Sequence, residues 1–506
     1  MHACLLVPDI LYLIIGFLKG DGYRSFFISY KDVARLARTC KAFKDPALDA
    51  LWRTQSSLSP LVMCLPSRFW TRGNRSRSAV GYDRGTSSSP VASLTMQPQP
   101  SHEDWLALKR YSRRIQAFDC TALYLPGVCS NTLSAIFQPG LFHELFPSLR
   151  GLDFNLFNNR EHLYVQPIML LTPMRLPHLL HLAFTISEHH RRQDPNEILH
   201  FPPNCVPSLQ TLRIDAACDD ANQHITPVRL AVNFGGFPYL RILSLSDNVD
   251  VSPSDLRALI HLQDLYELTV ALPDDFDIDV HPSIQSILPS LWDLDVTIGS
   301  LNRGTSFLSI VSSSRLGHVR ISHRLPATQS DIYALFQEIR RIHKRFPYFQ
   351  GLVVEYSRPT TLATDPSFDL PQSTLRPLLA CRYLRVFDLT SWGMLDIDDA
   401  FIVQIALAWP YLETFHLRGS QWKISRATLS GLRELLRRCP RLSSLGMEVD
   451  ARVLPEEEPE METLTLRSLR IASFGLYSNH PVERYLRILA PSLQTLLIEM
   501  PNPPPP

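Results

Sequence analysis

Phe237–Asn248 reads F-P-Y-L-R-I-L-S-L-S-D-N. Taken alone it is a short strand with Leu240, Leu243 and Leu245 apolar. The chain keeps rewriting it, as F-P-S-L-R-G-L-D-F at Phe146–Phe154, L-P-H-L-L-H-L-A-F at Leu176–Phe184 and V-P-S-L-Q-T-L-R-I at Val206–Ile214. Internal repetition decides the fold before any single element does.

Marking each copy by the first apolar residue of L-x-x-L-x-L gives Ile115, Leu149, Leu179, Leu209, Leu240, Leu265, Leu291, Leu316, Phe349, Leu384, Leu412, Leu442, Leu466 and Leu493. These fourteen copies advance by about 29 residues on average, in steps of 24 to 35. Amphipathic stretches lie between them. Ser252–Asp255 caps Leu256–Ile260, Asp331–Arg345 carries Ile332, Leu335, Phe336, Ile339 and Ile342 on one face, Asp396-x-x-Asp399 opens Phe401–Trp409, and Thr428–Cys439 carries Leu429, Leu432, Leu435 and Leu436. Strand then helix, repeated, predicts an α/β array with a parallel sheet on the concave side and helices on the convex side.

The copies resemble leucine-rich repeats. They differ from that family at the position three beyond the last strand leucine, where Asn or Cys is common. Here it is Asn only at Asn248, so the turns must be satisfied in another way.

Alternation along each strand turns the residues between the leucines toward the open face. That strip comprises Arg213, Asp215, Glu267, Asp293, Asp295, His318, Arg320, Glu355, Asp388, His416, Arg418, Glu448 and Arg470. Polar and mixed in sign, it is expected to hold a protein substrate.

The first 65 residues do not repeat. Leu5, Leu6, Ile10, Leu11, Ile14, Ile15 and Leu18 fall at helical spacing after Pro8, with Gly20-Asp21-Gly22 as the stop. A second helical pattern runs from Asp32 to Phe43, and Pro46 opens a third with Leu48, Leu51 and Trp52. The series Pro8, Ile10, Leu11, Ile14, Leu18, Leu36, Cys40, Phe43, Leu51 and Trp52 resembles an F-box. That resemblance implies binding rather than catalysis: a three-helix domain lays an apolar face on the adaptor Skp1, itself docked on a cullin ubiquitin ligase. Those ten residues are then the expected adaptor-binding set, some of them holding the helices together instead.

The expected organisation is a helical domain over 1–65, a linker over 66–104 with a Ser/Arg/Gly-rich flexible loop at 71–92, repeats over 105–500 and a proline tail at 501–506. The phrase S-H-E-D-W-L-A-L-K-R-Y-S-R-R-I from Ser101 to Ile115 resembles the connector of the expanded F-box families of mushroom-forming fungi. By these resemblances the chain is the substrate-recognition subunit of a Skp1–cullin–F-box ligase, with no active site of its own. The competing reading is an interaction scaffold without ubiquitin transfer.

Composition agrees with both. The net charge is +1, which offers no nucleic-acid footprint. Nine scattered cysteines form no C-x-x-C pair, so neither a disulfide framework nor a zinc site is expected, and a cytosolic or nuclear setting follows. No apolar run is long enough for a membrane span. There is no phosphate loop, nucleophile elbow or H-E-x-x-H helix, and no cofactor is expected. The acidic cluster Asp274, Asp275, Asp277 and Asp279, the pair His189-His190 and the run Pro455–Glu462 read as solvated loops.

Overall fold

The computed structural model describes residues 7–19, 30–73, 93–96, 100–119, 127–128, 135–153, 174–186, 198–201, 203–216, 227–259, 261–273, 276, 287–356, 366–390, 393, 395–419, 425–455, 465–473 and 480–499. Outside them lie His189-His190, the four aspartates of the 274–279 cluster, residues 456–464, most of the Ser/Arg/Gly-rich loop and the proline tail. Two compact units are formed, one by 1–240 with 248–255 and one by 241–247 with 256–506.

Every one of the fourteen repeat markers is followed, two residues later, by a strand of a parallel sheet. The markers themselves are between 0% and 8% exposed. In the first unit the parallel strands run Thr54–Gln55, Ala117–Phe118, Gly151–Asp153, His181–Ile186 and Thr211–Ala216. In the second, ten run from Ile242–Leu245 to Thr495–Glu499 in sequence order. Their period-2 burial is what the alternation predicts: Leu243 and Leu245 are fully buried while Ile242 and Ser244 are half-open.

Thr54–Gln55 belongs to no predicted copy. It pairs with Ala117–Phe118 in the repeat register, which sets Trp52 at the marker position. The same position in successive copies makes one recurring bond pattern. The Gln116 carbonyl accepts from the amides of Arg150 and Gly151, and Arg150's from Leu180 and His181. The Arg53 carbonyl begins this series, accepting from Gln116 at 2.8 Å and Ala117 at 3.0 Å. The helical domain therefore runs straight into the sheet, and its boundary does not fall at residue 65.

The expected linker is also structured in part. Trp70–Gly73 pairs antiparallel with Ser93–Met96, which pairs with Gly127–Val128. Buried Leu94 and Met96 supply the apolar side that the Ser/Arg-rich composition conceals, so Thr71–Gly73 are strand rather than loop.

The layer opposite the sheet changes between units. In the second it is helical, as expected: Leu301–Ile310, Gln329–Arg345, Asp399–Ala408, Leu429–Arg438 and His480–Leu489. In the first, Ile198–Phe201, Val228–Val232 and Val249–Val251 form a small parallel sheet instead. The alternating Val228, Leu230, Val232 and the β-branched Val249 and Val251 favour strand there, which corrects the expectation of helices throughout.

Side chains elsewhere in the repeats bond the backbone of neighbouring copies. Asp399 accepts from the Thr428 amide at 2.7 Å and hydroxyl at 2.6 Å, tying successive helix starts. The Ser312 hydroxyl donates to the Ile287 carbonyl at 2.9 Å, and Ser313's to Leu291 at 2.6 Å. Thr465 reaches the Leu442 carbonyl at 2.9 Å.

Candidate interaction surfaces

Three helices form the N-terminal surface: α1 (Pro8–Lys19), α2 (Tyr30–Leu36) and α3 (Lys41–Trp52). The predicted second and third helices divide differently. Helix α2 stops at Leu36, Cys40 is the extended N-cap of α3, and Pro46 sits inside α3 rather than opening it. The apolar spacing crosses the 37–40 turn unbroken, and that hides the boundary. Ile15, Val33 and Ala47 make the core, with Leu36, Ala37, Ala50 and Leu51 packed against it.

The ten expected adaptor-binding residues therefore part company. Leu11 is 3% exposed, and Leu36 and Leu51 pack inward, so these three hold the helices together. Ile10, Ile14, Cys40 and Phe43 are half-buried. Trp52 is half-buried and stacks on Tyr111 with ring centroids 5.0 Å apart. Pro8 lies in the first turn of α1; its side chain and that of Leu18 are outside the described residues. Exposed instead are Tyr12 and Leu13 of α1, at 51% and 64%, and Val7 just before it, at 42%. Tyr12 and Leu13 stand one step round the helix from Leu11 and Ile14. Sequence periodicity picked the interior face because that face is the more regular one.

Arg114, from the connector, clamps α3. Its guanidinium donates to Asp45 at 2.6 Å and to Asp49, and its side chain is only 12% exposed.

On the sheet, every predicted strip residue is at least partly open. Arg213, Asp215, Arg320 and Arg470 are exposed, and Glu267, Asp293, Asp295, His318, Glu355, Asp388, His416, Arg418 and Glu448 are half-buried. Register brings several together that are about thirty residues apart in sequence. Arg320 stands between Asp295 at 3.7 Å and Glu355 at 3.0 Å. Burial pushes Asp295 up to about 6; Arg320 offsets part of this, and the neighbouring Asp247, Asp293 and Glu355 carboxylates add to the rise. Burial likewise raises Asp293 and Asp215.

The densest group is on three neighbouring strands. His416 Nδ1 is 2.8 Å from Asp388 and its Nε2 is 2.9 Å from the Ser444 hydroxyl, while Arg418 reaches the other Asp388 oxygen at 3.2 Å. Burial acts to raise the Asp388 pKa, but His416 and Arg418 outweigh it and hold the carboxyl below the usual aspartate range. An ionised Asp388 can only accept, so Nδ1 carries the proton of that bond. Gly446 makes room for the ring: a Cβ there would meet His416 at 3.0 Å. Ser, His and Asp stand in relay order, yet the Ser444 amide is spent on the Glu413 carbonyl at 3.2 Å. That amide is therefore not free to stabilise an oxyanion, and the group is a hydrogen-bonded polar ridge on the sheet. Beside it, burial pushes Glu448 up to about 7 although the Gly419 amide donates to it at 2.9 Å.

Among the described residues no cluster of His, Cys, Asp or Glu could hold a metal ion, and no helix is long and apolar enough to cross a membrane. Of the cysteines, burial raises Cys381 to about 12 and Cys439 to about 11, so both are packing residues.

No protein-family model matches the chain, and no curated protein does. Among solved structures, the Rad7 and Elc1 complex in yeast is similar over 91% of this chain and 92% of that one, with 13% identity and a TM-score of 0.36. Likeness at that level carries no argument about this chain.

Proposed function

We propose that the protein is the substrate-recognition subunit of a Skp1–cullin-type ubiquitin ligase. The observation that carries this is a three-helix domain whose α1 leaves Leu13 exposed on one face with half-buried Ile10 and Ile14, joined in register to a parallel repeat sheet. The F-box-like order of residues names the adaptor class. Exposed Leu13, with half-buried Ile10 and Ile14 on the same helix face, makes the docking face; Cys40, Phe43 and Trp52, at and within α3, support it. An apolar helix face laid in a partner's groove is an established mode of recognition. The repeat strip from Arg213 to Arg418 holds the substrate. Ubiquitin transfer then needs no residue of this chain, only proximity, which raises the effective concentration of substrate lysines at the loaded enzyme.

The test is co-purification of the full chain with Skp1 and a cullin. Wild type should capture both, and Leu13→Asp should lose both with its thermal midpoint unchanged. Capture of Skp1 without a cullin would favour the scaffold reading. Capture of neither, or full capture by Leu13→Asp, would overturn the docking face.

A further inference from the structure

The residue before each repeat marker lies on the sheet's N-terminal rim. Across five consecutive strands of the second unit this position reads Arg315, Tyr348, Tyr383, Tyr411 and Arg441. The three tyrosines form one stack. Tyr348 and Tyr383 have ring centroids 5.1 Å apart, and Tyr383 and Tyr411 are 5.6 Å apart and nearly parallel at 15°. The Arg441 guanidinium closes the stack, 5.4 Å from the Tyr411 ring centre. Tyr348 and Tyr383 remain 52% and 37% exposed. Arg315, Arg382 and Arg441 are exposed, and none has a carboxylate within ion-pair distance among the described residues. The strand arginines Arg320, Arg418 and Arg470 each have a carboxylate partner, whereas these three do not.

Resting on the receptor reading above, we infer that this rim docks a carboxylate-rich segment of the protein substrate. Charge gives the sign of the partner: three unpaired guanidiniums on one edge attract an anionic chain. The rings narrow it further. Both faces of Tyr383 are covered by its neighbours, and Arg441 covers Tyr411. What the stack offers is ring edges, which carry the positive end of the aromatic quadrupole, and phenolic hydroxyls that can donate. Edges and hydroxyls suit carboxylates. A nucleic-acid strand would want free ring faces on which to stack its bases, and here those faces are occupied. Tyr and Arg are also enriched among the residues that carry most energy at protein interfaces, and Tyr buries a large area with only about two rotors.

Fluorescence anisotropy with labelled decaglutamate tests the rim on the full-length protein at low salt. Wild type should bind, and Arg315→Glu with Arg441→Glu should weaken binding at least tenfold. Tyr383→Ala, which opens the stack but keeps every charge, should weaken it about threefold or more. Unchanged thermal midpoints show that the variants fold. No binding by wild type at millimolar peptide, equal binding by the charge-reversed variant, or tighter binding of a twenty-residue oligothymidylate than of decaglutamate would overturn the inference. Skp1 capture by the same preparations separates the two proposals. If the rim fails and the adaptor is retained, only the rim reading falls. If wild type binds the peptide but captures no adaptor, the receptor reading falls.

Discussion

The Arg53 carbonyl and the Ala117 amide are 3.0 Å apart, and this bond joins the end of α3 to the first predicted repeat. It makes Trp52 and Arg53 the opening positions of the sheet as well as the last of the helical domain. The Trp52 ring lies against Tyr111, a connector residue, so the junction is packed as well as hydrogen-bonded.

Trp52→Ala should therefore cost stability on both sides of that junction. Trp52 is half-buried, and a loss of about 2 kcal/mol is expected, roughly half that of removing a full core tryptophan. Urea denaturation of the first unit, followed by fluorescence of the remaining tryptophans, reads the shift. Trp52→Phe keeps the stack and should restore most of it.

Asp388 makes stability depend on acid. Its folded-state pKa lies below the unfolded one, so the folded state binds fewer protons there. Its contribution is present above the ordinary aspartate value and is lost as pH falls through the lowered folded value. In His416→Ala the carboxyl loses its hydrogen-bond partner and its pKa should move up. The loss of stability should then be full above the ordinary aspartate value, neutrality included, and should shrink as pH falls toward about 2. Thermal scans between pH 2 and 5 (roughly the ordinary range of carboxylate titration) check it.

Glu448 acts in the opposite sense. Its pKa is raised from 4.5 to about 7, so the folded state binds more protons than the unfolded state between those values. Stability is lost as pH rises through that window, and the full penalty is present above it. Glu448→Gln keeps an oxygen for the Gly419 amide and removes the charge. It should raise the thermal midpoint at pH 8 and leave it nearly unchanged at pH 5. An equal effect at both pH values would mean that the carboxyl is not held protonated.

Asp399 performs for the helix starts what a turn asparagine does elsewhere in repeat proteins. Asp399→Ala should strand the Thr428 amide and cost about 1–2 kcal/mol. Amide hydrogen exchange should quicken first at Thr428 and in the first turn of Leu429–Arg438. Uniform quickening across the second unit would argue against a local tie.

The repeats were legible because their leucines obey period 2 inside a strand and are preceded by a turn phrase such as F-P-Y-L or V-P-S-L. All fourteen markers led to strands for that reason. The open strip was equally legible, since alternation alone sorts Arg213 or Asp295 from the leucines beside them. What stayed hidden has physical causes. Thr54–Gln55 is too short and polar to signal a strand, and only its partner strand makes it one. The α2–α3 boundary was masked by apolar spacing that continues across the turn at Cys40. The His416–Asp388–Ser444 contacts and the Tyr348–Tyr383–Tyr411 stack depend on register between segments about thirty residues apart, which a linear reading cannot set. On α1 the sequence pattern marked Leu11 and Ile14 alike, but Leu11 is buried and Ile14 half-buried, a difference that only the packing of α1 on the other helices sets.

The bond series that starts at Arg53 also bears on how a captured protein would be held. A swivel between the helices and the first repeats would need an interruption in that series, and between Arg53 and the Gly151–Asp153 strand there is none. A partner of the kind proposed for α1 would thus be carried at a set angle to those first strands. The chain works there as a bracket, and its reach is decided by geometry built in during folding.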